Sequence, residues 1–450
     1  MANSYLSRSG STPTNSKKFT YSFWVKRSTI SADQAFLSYE TDSNNRGGIE
    51  LQSGDKFRYF ERVSGSNTIV VEPSRVFRDP AAWYHIVVAT DTTQSTASDR
   101  VKIYVNGVQE TDFSTATYPS LNSDTRANGS TVKNIGRRNV NDDYYFDGYL
   151  SHAAFVDGSA LAPTSFGETD STSGIWKFKQ PTGVTFGNNG FHLKFENSGA
   201  LGTDSSGNSN TFTVNGNLKQ AVDTPSNSYA TLNSLNVPTS NAPTFSFANT
   251  KTITMNSDPG HFGGTSTFGA SQGKWYTEIK ITDDNGVGAV GITFDPSEKA
   301  RQGTTFSAQI SDSFIYANTG KQYSTATGTS GSSYGNTYTD NDIIGVAMDL
   351  DNSKLYFHKN GTYQNSGVPT SGSTGTGAIA ITAGETYFFY LTDVGGATAT
   401  YECNFGNGYF GTTAVSSAQN PDDGNGIFEY DVPAGYRALC TKSLNAEEYS

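Results

Sequence analysis

Two short runs set aromatic rings beside amides and carboxylates: Asn141-Asp142-Asp143-Tyr144-Tyr145 and Tyr334-Gly335-Asn336-Thr337-Tyr338. A ring can cover the apolar face of a sugar while neighbouring polar groups orient its hydroxyls, so Asn141, Tyr144, Tyr145, Tyr334 and Tyr338 are the candidate ligand-binding residues. Tyrosine also fills strand ends and contacts between modules, which is the alternative at both places. Asp349-Leu350-Asp351 puts two acids one residue apart, a spacing that would aim both carboxylates at one cleft for cleavage of a glycosidic bond. The pair stands where a strand enters Asn352-Ser353-Lys354, and aspartates there bond neighbouring backbone amides, so a turn role is expected.

Other chemistry finds little footing. The histidines His85, His152, His192, His261 and His358 are scattered, none at His-x-x-x-His or Cys/His spacing for a metal. Four lie in or beside predicted strands, where packing accounts for them. Neither a Gly-x-Ser-x-Gly nucleophile turn nor a phosphate-cradling Gly-x-x-x-x-Gly-Lys-Ser/Thr run occurs. The expectation is a protein that is not an enzyme.

The elements that must carry these residues are strands. In Phe19-Thr-Tyr-Ser-Phe-Trp-Val-Lys26, Phe19, Tyr21, Phe23 and Val25 share one face while Thr20, Ser22, Trp24 and Lys26 share the other, the period of two that marks a strand. Runs at 35–39, 48–51, 56–60 and 68–71 follow, separated by Gly, Asn, Asp and Ser. Tyr84–Asp91 leads to Arg100–Gly107, and Asp342–Asp349 leads to Ser353–Gly361. Each is a buried strand, a polar turn, then an alternating strand ending in Asn-Gly, which supplies the positive φ angles of a tight hairpin.

The chain has 450 residues, enough for two or three domains with cores of their own. Charged residues make up 16%, below the ~25% of an average soluble domain, with Gly, Ser, Thr and Asn in their place. With 28 Phe and 25 Tyr it still fills sandwich cores. A net charge of −11 without a basic stripe opposes nucleic-acid binding. No apolar run nears the ~20 residues of a membrane span, and the first residues lack a signal-peptide core, so no membrane insertion and synthesis in the cytosol are expected. Cys403 and Cys440 fit buried free thiols in such a setting, with a disulfide between them the alternative.

The strand "FTYSFWVKR", the pair "WYHIVVATD" and "VKIYVNGV", and the ending "NIGRR…YFDGYLSHAAFVDGSALAP" resemble a laminin G-like, concanavalin A-type jelly roll. That resemblance implies binding of glycans or proteins at a rim. It also brings calcium into view, because such domains often hold an ion with Asp side chains and carbonyls. Asp142, Asp143 and Asp147 are the residues that would ligate it, against the plain reading of an Asp-rich turn and no cofactor.

A second set, "GKWYTEIKI", "GVGAVGIT", "DIIGVAMDLDNSKLYFHKNG" and "TYFFYLTDVGG…YECNFG", is similar to a SPRY domain, a bent sandwich with partner-binding loops. Between Ser297 and Tyr338 the family's blocks are absent, so no loop residue carries over there. With "FGNNGFHLKFE" between the two and "PAGYRALCTKSL" near the end, the chain resembles virion structural proteins of tailed phages, particularly those of marine bacteria. The expected fold is all-β: two tandem β-sandwiches, a laminin G/concanavalin A-like jelly roll at 1–162 and a SPRY-like sandwich at 248–412. A β-rich connector at 163–247 joins them, and a C-terminal extension occupies 413–450. The phage resemblance implies a fibre, spike or decoration component located in the virion and present in multiple copies, with other virion proteins and host-surface polysaccharide or receptor as partners.

Overall fold

A computed structural model describes residues 3–171, 173–238, 242–254, 262–284, 287–299, 310–394 and 398–448. It is all-β, and the chain divides into two compact units at residues 221–226.

In the first unit an eight-stranded sheet runs in the order Phe113–Thr117, Ser66–Pro73, Phe57–Val63, Asn45–Leu51, Gln34–Asp42, Lys133–Ile135, Tyr5–Arg8, Thr213–Asn215. A six-stranded sheet runs Phe191–Leu193, Gly148–Asp157, Lys18–Arg27, Trp83–Asp91, Val101–Val105, Val108–Gln109. Phe19, Tyr21, Phe23 and Val25 meet Leu37, Tyr39, Ile49, Tyr59, Ile69 and Val71 between the sheets, as the alternation requires. Asn106 (φ 49°) and Gly107 (φ 81°) make the expected left-handed hairpin turn.

The other face of the six-stranded sheet is buried as well. Thr20, Ser22, Trp24 and Lys26 are at most 3% exposed. The hairpin formed by Gly167–Thr169 and Trp176–Phe178 lies over this face, while Ala154, Val156, Phe166 and Phe186 form a small second cluster. Residues 163–220, expected as part of a connector, therefore belong to the first unit, and 227–247 to the second. Separate connector composition gave no sign of this, because the contacts that dock the hairpin span nearly a hundred residues.

In the second unit the strands Thr244–Ser246, Lys251–Ile253, Ala399–Asn404, Lys274–Asp284, Ile343–Asp349, Lys354–Lys359 and Thr362–Tyr363 pair in that order, and Ile379–Ala380 and Arg437–Ala438 join the same sheet. The facing sheet is Phe262–Thr265, Phe388–Val394, Val287–Thr293, Ser313–Ala317, Lys321–Tyr323, Ser332–Ser333. The extension expected at 413–450 is part of this unit. Phe428, Tyr436, Ala438 and Cys440 pack with Tyr276, Ala347 and Tyr356 in a second apolar layer, and a short helix, Thr441–Glu448, follows.

Glu278 fastens that layer. Its carboxylate, fully buried, accepts the backbone N–H groups of Glu429 and Tyr430 at 2.8 Å each, the Tyr276 hydroxyl at 2.9 Å and the Asn404 amide at 3.3 Å. Burial pushes its pKa up to about 7 against those four donors. Cys403 and Cys440 are both buried and free.

Candidate functional site

The run 137–147 leaves the strand Lys133–Ile135 and returns to Gly148–Asp157. Arg138 and Asp143 close it twice, through paired backbone bonds (Arg138 N to Asp143 O, 2.9 Å; Asp143 N to Arg138 O, 3.3 Å) and through a two-pronged ion pair at 2.8 and 2.7 Å. Asp142 (φ 53°) and Tyr144 (φ 54°) take the left-handed backbone that so tight a return demands. For a tyrosine that conformation is strained, and it persists because the contacts around it are dense.

The candidate tyrosines are here but are not bare plates. The Arg138 guanidinium sits 3.7 Å over the Tyr144 ring, and the Arg137 guanidinium 3.5 Å over Tyr5. Tyr145 packs against Tyr5 at 6.3 Å and donates to Asp142 Oδ1 at 2.5 Å. That hydrogen bond, with the adjacent Arg137, lowers the Asp142 pKa. Asn141 is exposed at the tip.

The three acids that calcium would need are engaged elsewhere. Asp142 pairs with Arg137, Asp143 with Arg138, and Asp147 accepts from the Thr29 hydroxyl at 2.8 Å. Two of the three carboxylates are thus already neutralised by guanidinium groups. Among the described residues no group of three or more His, Cys, Asp or Glu side chains is placed to hold a metal.

Tyr334 and Tyr338 are likewise corrected: they are core residues, 5% and 4% exposed. Both rings pack on Tyr316, at 5.4 and 5.2 Å. The Tyr338 hydroxyl donates to the carbonyls of Tyr316 (2.8 Å) and Gly288 (3.1 Å), and the Tyr334 hydroxyl accepts from Phe357 N (3.3 Å). A Gly- and Ser-rich run without alternation looks exposed in sequence, yet here it carries two rings inward. Asp349 holds the turn as expected, accepting from Asn352 N (3.1 Å) and pairing with Lys274, whereas Asp351 reaches out of the turn to accept from Gly273 N (2.7 Å).

Four of the histidines lie in the described residues; His261 lies outside them. The His85 ring stacks on Trp24 at 4.7 Å, its Nδ1 accepts the Trp176 indole N–H at 2.9 Å, and its Nε2 lies 2.8 Å from the Ser22 hydroxyl. An indole only donates, so the neutral tautomer carries its proton on Nε2. His152 stacks on Phe178 at 3.5 Å and lies 5.8 Å from His192. Burial lowers His85 to about 3 and His152 and His192 to about 4. His85 and His152 pack against the hairpin, and His192 stacks on Phe186 at 6.2 Å.

Beside the loop 137–147 lies a set of residues that motif searching missed. On the outward face of the eight-stranded sheet, register places Glu40 opposite Arg46, Arg46 opposite Arg62, Glu50 opposite Arg58 and Gly48 opposite Phe60. Tyr39, Ile49 and Tyr59 on the same strands point into the core, so these alternate residues point away from it. Arg58 pairs with Glu50 and lies 4.6 Å over the Phe60 ring, while Arg46 lies 5.9 Å from that ring. Glu40 Oε2 accepts Val140 N at 2.7 Å, tying the loop to the sheet. Burial raises the pKa of Glu40 against that bond, Arg138 and Arg46, and raises Glu50 against Arg58. The signal was present in the period-two spacing of Arg46, Gly48, Glu50 and of Arg58, Phe60, Arg62.

Comparison with known proteins bears on both units. Residues 2–164 match the Concanavalin A-like lectin/glucanases superfamily, in its laminin G type, and residues 274–384 match the SPRY domain. No curated protein matches the chain. Among solved structures, the SPRY domain of human HERC1 is 16% identical, with a TM-score of 0.24, covering 34% of this chain and 81% of that one. A heptameric SAP-like pentraxin from Limulus polyphemus is 14% identical, with a TM-score of 0.26, covering 35% and 71%. Domain 4 of AbnA, an extracellular arabinanase of Geobacillus stearothermophilus solved with arabinotriose, is 19% identical, with a TM-score of 0.26, covering 33% and 65%. The chain carries a laminin G/concanavalin A-like lectin domain followed by a SPRY domain.

Proposed function

We propose that this chain is a peripheral component of a tailed-phage virion that attaches the particle to host-surface glycan through its lectin-like unit and does no covalent chemistry. The carrying observation is the outward face of the eight-stranded sheet with the loop 137–147 beside it. There Arg46, Arg58 and Arg62 are half-buried, Arg46 and Arg58 lying over the buried Phe60 ring, a cluster of polar groups able to orient a sugar's hydroxyls. The opposite sheet is covered by the chain's own hairpin and offers no such face.

The virion setting is supported by the resemblance of the motifs along the chain to phage structural proteins. Many copies on one particle would raise a weak single-site affinity through effective concentration. Fluorescently tagged full-length protein should label host cells and bind their extracted polysaccharide. If it decorates particles lacking it yet leaves cells and polysaccharide unlabelled, a purely structural capsid or tail role replaces attachment.

A further inference from the structure

Arg46 and Arg62 stand directly opposite each other across two strands. Like charges so placed repel and destabilise a sheet. Arg58, on the same face, is neutralised by Glu50, whereas among the described residues neither Arg46 nor Arg62 has an ion-pair or hydrogen-bond partner. Their Nε atoms are buried without a partner, as is that of Arg58, and so is Oε1 of Glu40, a side chain only 4% exposed that faces Arg46 across the next strand pair. Buried donors and an acceptor left open on one face, each costing stability, describe a set of groups that a ligand completes. Two guanidinium groups call for an oxyanion, which they grip with paired N–H bonds. The lone carboxylate oxygen calls for a hydroxyl. A ligand with both, repeated along a chain, is an acidic polysaccharide.

We propose that the face formed by Glu40, Arg46 and Arg62 binds an acidic polysaccharide, with a carboxylate or sulfate held by Arg46 and Arg62 and a neighbouring hydroxyl donating to Glu40. This rests on the glycan-binding reading above and narrows it to one charge class. The protein's net charge of −11 works against indiscriminate capture of polyanions, so binding depends on this local pair.

The test is isothermal titration of the full-length protein at low salt with alginate (uronate), dextran sulfate (sulfate), dextran (neutral) and polyglutamate (acidic, no sugar). Alginate or dextran sulfate should bind, the stronger of the two naming the anion, while dextran and polyglutamate should not. Arg46→Gln/Arg62→Gln should weaken binding at least tenfold without lowering the melting temperature, because the repulsion goes with the charges. Unchanged affinity in that variant overturns the proposal. So does lost binding accompanied by a lower melting temperature, which would make the arginines structural. Dextran binding as tightly as alginate overturns the charge preference alone and leaves glycan binding standing, and equal binding of polyglutamate overturns the sugar part. If wild-type protein binds no polysaccharide, both readings fall.

Discussion

Acid should loosen the first unit through its buried histidines. His85 and His192 are each at most 1% exposed, and their folded pKa values lie near 3 and 4 against an ordinary 6.5. At pH 5 both stay neutral in the folded state, while the unfolded chain takes up a proton on each. The unfolded state then binds more protons, so stability falls as pH drops below about 6.5 and levels off only below the folded values. Between pH 7 and 5 this amounts to about 2 kcal/mol per histidine and about 4 for the pair, a large share of the roughly 5–15 kcal/mol that holds a domain folded. His152, less buried, adds in the same direction. Glu40, Glu50 and Glu61, raised mainly by burial, take up protons more readily folded than unfolded and oppose the trend, so the decisive quantity is a difference between variants. His85→Gln keeps an acceptor for Trp176 and a donor for Ser22 but cannot titrate. Urea melts followed by tryptophan fluorescence report this unit, because Trp24, Trp83 and Trp176 all lie in it and Trp275 alone lies outside. The variant should lose about 2 kcal/mol less than wild type on going from pH 7 to 5. Equal losses in the two proteins would refute the reasoning.

In the second unit, Glu278 has a folded pKa raised to about 7. Its contribution is fully present below the unfolded value and fades as pH rises through 7, so stability should fall by about 1 kcal/mol between pH 6.5 and 8, and Glu278→Gln should flatten that slope in chemical denaturation. Glu278→Ala leaves two buried backbone N–H groups without an acceptor and should cost about 3 kcal/mol or more by the same measurement. A Cβ at Gly345 would lie 1.9 Å from Nε2 of the buried His358, so Gly345→Ala should destabilise by about 2 kcal/mol, visible as a lower melting temperature. Calcium titration should release no heat and leave the melting temperature unchanged, since Arg137, Arg138 and Thr29 already occupy the three carboxylates.

Much of the architecture could be read from local pattern. Phe19, Tyr21 and Phe23 entered the core, and Asn106-Gly107 and Asn360-Gly361 turned as hairpins, because these signals lie within a few residues. The failures were all non-local. Tyr334 and Tyr338 owe their burial to Tyr316 and Phe357, which no nearby pattern announces. The bond from Trp176 to His85 spans 91 residues, so the hairpin that covers the six-stranded sheet read as connector. Arg58 and Arg62 stood in plain alternation, but their juxtaposition with Arg46 and Glu40 exists only once strand register is fixed.

The cover over the six-stranded sheet also decides where this protein can be cut. A fragment ending at residue 162 would keep every strand of the jelly roll from Tyr5 to Asp157 yet bare Trp24, His85 and Ala154 to water, since Trp176, Phe166 and Phe186 would be gone. Such a piece would present a sticky flank absent from the intact chain, and any adhesion measured with it would report the wound made by the scissors.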